Sequence, residues 1–435
     1  MLINFRVENH RSLCDEQVLT MEVGRVGDES DLRPRHVSGN SECLLPLAAL
    51  YGANASGKSN VLGALAFMCD AVLDSHRAWS PDGGVPRDPF AWGPKRGEPS
   101  LFEVTLLLGT VRYQYGFTTS DESFLEEWLF AWPLGKKQVW FERDPNTFKF
   151  GDNFKGEHKL IEEVTRSNAL FLSAAVQHKN QQLQPIFSWF RRLQTVNMRR
   201  GGRTFSPSQT FSTVAWLSRM LDDEGDDDAD SHEPTVAQDV APKESLVSSF
   251  RALLRASDIG IVDLKVVKSE PDDTPQYASK YAGRIRVLLK HQCAHNAWLP
   301  LAEESKGTQT LFRMALPILQ AIRDGSTLLV DELESSLHPS LAQRIVQQFN
   351  DPATNPNNAQ LIFTTHDTNL LGTTLGEPVL RRDQVWMTEK DSEGATVLYP
   401  LTDYKPRKSE NLERGYLQGR YSAIPFLGDF SVLGE

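Results

Sequence analysis

The feature that most constrains this chain is the segment Gly52-Ala53-Asn54-Ala55-Ser56-Gly57-Lys58-Ser59, which fits GxxxxGK[ST] at every fixed position. It follows an apolar run, Leu44 to Tyr51, that reads as a buried strand. It precedes Asn60 to Met68, where Val61, Leu62, Leu65 and Met68 recur at helical spacing. A strand, a glycine turn and a helix in that order bind phosphate. The glycines let successive backbone N–H groups turn inward, and the helix N-terminus adds the positive end of its dipole. Gly52, Asn54, Ala55, Ser56, Gly57, Lys58, Ser59 and Asn60 are therefore the candidate nucleotide contacts. Lys58 would reach the β and γ phosphates, and the Ser59 hydroxyl would ligate Mg²⁺, so ATP and Mg²⁺ are the expected ligands.

Far downstream, Thr327-Leu328-Leu329-Val330-Asp331-Glu332 is an apolar strand ending in two acids. Beside a phosphate loop this pattern assigns Asp331 to the metal and Glu332 to the attacking water as catalytic base. Glu304 to Gln309 opens a helix before that strand, and its Ser305, Lys306 and Gly307 resemble the signature of ABC ATPases, with Lys306 in a glycine position and Thr308 ahead of Gln309. Ser335-Ser336-Leu337-His338-Pro339 follows as that class's D-loop does, and Thr364-Thr365-His366 ends the next strand, which makes His366 a catalytic candidate. A helix N-terminus carrying a serine hydroxyl offers donors to a γ-phosphate. In the ABC class that phosphate sits on the opposite subunit, so the resemblance implies an ATP-sandwich homodimer. Gln177, between the strand-like run from Leu170 and an amphipathic helix expected over Asn180 to Val196, is a further candidate metal or water contact.

The remaining organisation reads as α/β: an ABC-type P-loop NTPase core with an N-terminal antiparallel β part and an inserted helical lobe. Leu2 to Val7 alternates as a strand, and Leu101–Leu108 with Arg112–Phe117 reads as a hairpin. Gln384–Thr388 with Thr396–Tyr399 reads as another. Gly307 to Ile322 reads as a helix in which Pro317 predicts a kink or break. The expected division is 1–175 for the first part of the core, 176–300 for the lobe and 301–435 for the rest of the core. Between Arg199 and Pro242 the composition shifts to an insertion, with Arg199, Arg200 and Arg203 followed by an acidic block at 222–233. That block accounts for most of the net charge of −11, so the body of the protein is near neutral and global charge neither demands nor forbids nucleic acid. Four scattered cysteines without CxxC spacing argue against a disulfide framework or a zinc site. The charged N-terminal stretch and the lack of long apolar runs predict a cytoplasmic protein with no membrane partner.

With these motifs in hand the chain resembles the RecF/SMC/OLD branch of ABC ATPases, and within it the stand-alone AAA-type ATPases of bacterial anti-phage and abortive-infection systems (RloA-like, and the PARIS-type ATPase). Met1-Leu2-Ile3-Asn4-Phe5-Arg6-Val7-Glu8-Asn9-His10-Arg11-Ser12 is similar to that branch's opening, with His10 where an aromatic residue is commoner. Phe171 to Ser173 and Gly419-Arg420-Tyr421 resemble the same group. No heptad arms of the SMC kind are seen, and the stretch after His366 is too short for the Toprim domain of OLD nucleases. The resemblance implies a sensor or scaffold that controls a separately encoded effector, such as a Toprim or RloB-like nuclease. A RecF-like DNA clamp is the alternative, for which Arg191, Arg192, Arg199, Arg200 and Arg203 could track phosphates. A transporter energy subunit fits least, since that class has a shorter, unbroken ATPase.

Overall fold

The computed structural model describes residues 1–26, 30–38, 43–145, 147–198, 209–221, 243–257, 260–268, 285–292, 297–374, 376–406 and 410–424. The acidic block and Arg199, Arg200 and Arg203 lie outside them. In chain order the elements begin with β1 (Leu2–Glu8), β2 (Gln17–Thr20), β3 (Leu47–Gly52) and α1 (Lys58–Asp74). Next come β4 (Ser100–Leu108), β5 (Val111–Thr119), β6 (Phe124–Trp132), β7 (Gln138–Asp144) and β8 (Thr147–Phe150). Then follow α2 (His158–Val164), α3 (Phe171–Gln177), α4 (Gln184–Arg192) and β9 (Gln194–Val196). A second group holds α5 (Gln209–Leu221), α6 (Lys243–Ala256), β10 (Ile261–Lys268), β11 (Ile285–His291) and β12 (Trp298–Pro300). The chain ends with α7 (Lys306–Asp324), β13 (Thr327–Val330), α8 (Pro339–Asn350), β14 (Gln360–Thr364), β15 (Val385–Lys390), β16 (Thr396–Pro400) and α9 (Leu412–Leu417).

These elements form two compact units. The first comprises Met1–Gly202, Ala321–Glu334 and Ala342–Glu435, and the second Arg203–Gln320 and Ser335–Leu341. The boundaries thus differ from the expected ones at 175 and 300. Residues 176–202 stay with the core because β9 pairs in parallel with β13, Leu328 to Val330 against Gln194 to Val196. Residues 301–320 join the second unit because Leu311, Phe312, Ala315 and Leu316 of α7 share its core with Phe250 and Leu289.

In the first unit two sheets divide the work. An antiparallel sheet runs β2-β1-β4-β5-β6-β7-β8, and a second sheet runs β16-β15-β3-β14-β13-β9, parallel except for its edge strand β16. Every residue of β3, β13 and β14 is buried, as expected of parallel strands covered on both faces. α1 buries Val61, Leu62, Leu65 and Met68 in the common core, so the expected helix is present and starts two residues earlier, at Lys58. Two expectations are corrected here. The run from Leu170 is the helix α3 rather than a strand, because its N-terminal N–H groups are capped from below by a buried acid. The helix expected over 180–196 is only α4, Gln184–Arg192; Leu193 leaves it in extended geometry and the chain turns into β9. In the second unit β10, β11 and β12 form an antiparallel sheet packed on α5, α6 and α7, and α7 runs unbroken through Pro317.

The acid under α3 is Glu127, fully buried on β6. It accepts hydrogen bonds from the Phe171 N–H at 2.7 Å, the Leu172 N–H at 3.0 Å and the Tyr115 hydroxyl at 2.9 Å, with the Arg143 guanidinium 3.8 Å away. Burial raises its carboxyl above the usual carboxylate range, against the pull of Arg143. Removing one member of such a group leaves the others buried and unpaired. Glu127→Ala should therefore cost about 3–5 kcal/mol in denaturant unfolding. His10 behaves oppositely. Its ring stacks 5.8 Å from Phe67 and edge-on 5.5 Å from Phe102, yet among the described residues neither ring nitrogen has a hydrogen-bond partner. Burial, with Arg11 next to it, lowers its pKa to about 3, so it serves as a neutral aromatic ring. His10→Phe should raise stability by about 1 kcal/mol, seen as a higher melting temperature.

Candidate functional site

The phosphate loop is built by β3 delivering Gly52 and by α1 starting at Lys58. Between them Ala55 (φ 62°) and Gly57 (φ 109°) hold left-handed backbone, which folds the loop over the helix end. Gly57 has no room for a side chain: a Cβ would lie 2.8 Å from Thr396 Cγ2 and 2.9 Å from Ser12 Oγ, and closer still to Thr396 Oγ1. The loop is clamped from outside by hydroxyls. Thr396 Oγ1 donates to the Ser56 carbonyl at 2.7 Å, Ser56 Oγ meets Thr388 Oγ1 at 2.6 Å, and Asn60 Nδ2 donates to Ser12 Oγ at 2.7 Å. Ser12, Thr388 and Thr396 were not among the residues expected at the site. They come from the first turn and from the β15–β16 hairpin, and no local pattern in the chain announces them.

The expected residues of the loop and of the acidic strand do meet. Asp331 follows β13, and its Oδ1 accepts from the Ser59 hydroxyl at 2.8 Å and from the Thr364 hydroxyl at 2.6 Å. Thr364 Oγ1 in turn accepts from the Glu332 N–H at 2.7 Å. Glu332 itself is exposed and has φ 51°, a left-handed conformation that is uncommon outside glycine and clusters at functional sites. His366 lies one turn past β14, and its backbone N–H donates to Glu334 Oε1 at 2.6 Å. Lys58 Nζ donates to the carbonyls of Gly52 at 2.8 Å and Ala53 at 3.0 Å. Desolvation lowers the Lys58 pKa to about 8, although Asp331, Glu334 and Glu332 pull it up. Desolvation and the Lys58 ammonium hold the His366 imidazole below its ordinary value, against the pull of Glu334, Glu332 and Asp331.

Gln177 is not brought to this place. It is exposed at the last residue of α3, and the adjoining His178 ring lies 6.1 Å from His76, beyond the far end of α1. At 1.5 Å per residue, that end of α1 is roughly 22 Å from Ser59. The position beside Asp331 is taken by Asn197, directly after β9, whose Nδ2 donates to the Asp331 carbonyl at 3.2 Å. The signature candidates lie in the second unit. Ser305 caps α7: its Oγ accepts from the Thr308 N–H at 3.1 Å, with Lys306 exposed behind it. A Cβ on Gly307 would come within 2.8 Å of the Ser336 carbonyl, so the glycine permits close passage of the Ser335–Leu341 segment.

The donor set fits a small hard cation. A serine hydroxyl and a carboxylate oxygen converge next to the phosphate loop, and magnesium is usually held by one or two carboxylates plus substrate phosphates. Among the described residues no group of three His, Cys, Asp or Glu is placed to hold a metal ion by itself.

A phosphate loop running from the parallel strand β3 into α1, and acids after β13, the next strand but one in the same sheet, define a P-loop NTPase core with an antiparallel sheet beside it. The chain belongs to the family described as "AAA domain, putative AbiEii toxin, Type IV TA system", whose model matches residues 47–372. Comparison with the curated proteins finds no match. Among solved structures the chain is similar to an SMC head bound to the C-winged helix domain of ScpA, at 12% identity and TM-score 0.45, covering 93% of this chain and 99% of that one. It is also similar to the SMC head domain from Thermotoga maritima, at 12% identity and TM-score 0.37, with 92% and 98% covered. A third is an Smc head with an extended coiled coil bound to the C-terminal domain of ScpA, derived from Pyrococcus furiosus, at 12% identity and TM-score 0.39, with 93% and 97% covered. Likeness at these scores adds nothing to the sheet order itself. No helix among the described residues is long and apolar enough to cross a membrane.

The lowered Lys58 pKa has a measurable consequence. An anionic phosphate favours the charged ammonium, so binding restores a higher pKa and takes up a proton at pH values between about 8 and that bound-state pKa. ATP affinity should be flat below about pH 8 and weaken by up to about tenfold per unit above it, until the bound-state pKa is reached. Lys58→Arg, always charged, should remove the slope. Calorimetric titrations from pH 7 to 10, in buffers of different ionisation enthalpy, read both the affinity and the proton.

Proposed function

We propose that this protein binds and hydrolyses ATP with Mg²⁺, and that two copies enclose each nucleotide. The observation that carries the reading is the convergence of the Ser59 and Thr364 hydroxyls on one carboxylate oxygen of Asp331, beside Lys58. Backbone N–H groups of Gly52 to Asn60 would hold the phosphates. Magnesium, held by Ser59 and Asp331, would offset charge on the β and γ groups. Glu332, exposed and aimed by its strained backbone, takes the proton of the attacking water as the bond to the γ-phosphorus forms and ADP leaves with its oxygen. An imidazole N–H of His366 would donate a hydrogen bond to the γ-phosphoryl oxygens. Ser305 and the N-terminus of α7, with Lys306 and Gly307, would face the γ-phosphate of a second copy.

We infer further that the ATPase serves as sensor and scaffold of a bacterial anti-phage system, controlling a separately encoded Toprim or RloB-like effector. The family description, which names a putative toxin and a type IV toxin–antitoxin system, supports a place in defence. A RecF-like DNA-binding role is the second reading. Arg191 and Arg192, exposed in the last turn of α4, favour it, and salt-sensitive retardation of duplex DNA would decide for it.

Glu332→Gln should retain ATP binding while turnover falls by about 10²–10⁴-fold; unchanged turnover would reject the assignment. Lys58→Ala should lose nucleotide binding. With ATP, the Glu332→Gln protein should sediment as a dimer, and adding Ser305→Arg should return it to monomer without loss of ATP binding. A dimer indifferent to Ser305→Arg would remove the sandwich.

A further inference from the structure

Two glutamates follow Asp331, and only Glu332 has so far been given a role. Glu334 lies three residues on, at the last position of the first unit before the chain passes into Ser335–Leu341 of the second. The parallel ladder between β13 and β14 ends at Val330 opposite Phe363. Beyond it the two chains are stitched by the Leu333 N–H to the Thr364 carbonyl at 3.0 Å and by the Glu332 N–H to the Thr364 hydroxyl. The next link is the Glu334 carboxylate, whose Oε1 accepts the His366 N–H at 2.6 Å. A side chain here does what a carbonyl does within the ladder, at the point where the strands have parted.

That link decides where the imidazole goes. Among the described residues no hydrogen bond holds the His366 ring, so the ring is aimed by its backbone alone. Its neighbours are fixed from the other side: the Thr365 N–H donates to the Leu50 carbonyl at 3.1 Å, and the Asp367 N–H to Thr365 Oγ1 at 2.9 Å. The His366 N–H depends on Glu334. The second carboxylate oxygen, Oε2, is buried and has no hydrogen-bond partner among the described residues, a costly arrangement unless the group has a task. The same charge is felt by both His366 and Lys58.

We propose that Glu334 is a positioning residue of the hydrolysis site, holding the turn after β14 so that His366 meets the γ-phosphoryl group. The proposal rests on the ATPase reading above. A shift of about 1 Å in a catalytic group can cost about 10²-fold, so Glu334→Ala should lower kcat by about that factor, with the KM for ATP little changed. Glu334→Gln keeps an acceptor oxygen and should restore most of the turnover. In a His366→Ala background Glu334→Ala should cause no further loss, because the two act as one unit. Hydrogen exchange at the His366 amide, measured in the full chain without nucleotide, should quicken in Glu334→Ala and stay slow in Glu334→Gln. Losses that add in the double variant, a glutamine as damaging as alanine, or an exchange rate indifferent to both substitutions would overturn the proposal. If the parent protein turned over no ATP, the ATPase reading would fail, and the amide exchange would still decide whether Glu334 holds His366.

Discussion

The Asp331 carboxylate holds together three elements that the chain supplies from widely separated places. Ser59 lies in the first turn of α1, Asp331 follows β13 and Thr364 ends β14, and the two hydroxyls meet on one oxygen of the Asp331 carboxylate. A carboxylate can accept several donors at once, so one side chain fixes the distance from the phosphate loop to the acidic strand and from there to the strand bearing His366. The parallel sheet makes this economical. With β3, β14 and β13 adjacent and running the same way, their C-terminal ends lie along one edge. Open α/β sheets bind their ligands outside that edge.

A second set of contacts fixes the loop from its outer side. Ser12, Thr388 and Thr396 bring the first turn of the antiparallel sheet and the last hairpin of the parallel one onto Ser56, Gly57 and Asn60. The conformation of a glycine-rich loop is poorly determined by its own residues, because glycine loses more freedom on folding than any other residue. Hydroxyls from two distant elements provide the missing restraint. Gly57 is required twice over, for its left-handed backbone and for the closeness of Thr396.

The residues legible in the sequence were those whose chemistry is written in a short window. The phosphate loop, the acids after β13 and the histidine after β14 each end a buried strand, and strand ends are visible as apolar runs that stop. Ser305 was legible for a similar reason, as a serine ahead of a helical repeat, and it is the cap. The run before Gln177 was read as strand-like because Leu170 to Val176 is apolar but for Ser173, and a run of that length does not tell a buried strand from a buried helix. The deciding residue, Glu127, lies more than forty positions upstream. Asn197 was hidden by the reverse error: the helical pattern of α4 was extended over β9, a strand of three residues with too few positions to show a period. Glu334 belongs to no pattern in the sequence, and only its contact with the chain after β14 sets it apart.

Lys58 carries a further implication. Its ammonium is already shared between two carbonyls of the loop it belongs to. A ligand must offer enough negative charge, at the right reach, to draw it off those oxygens and compensate for their loss. On the proposed ATPase reading, a nucleoside monophosphate would compensate poorly for those two bonds, and each added phosphoryl group would compensate better, so the loop would favour long polyphosphate tails.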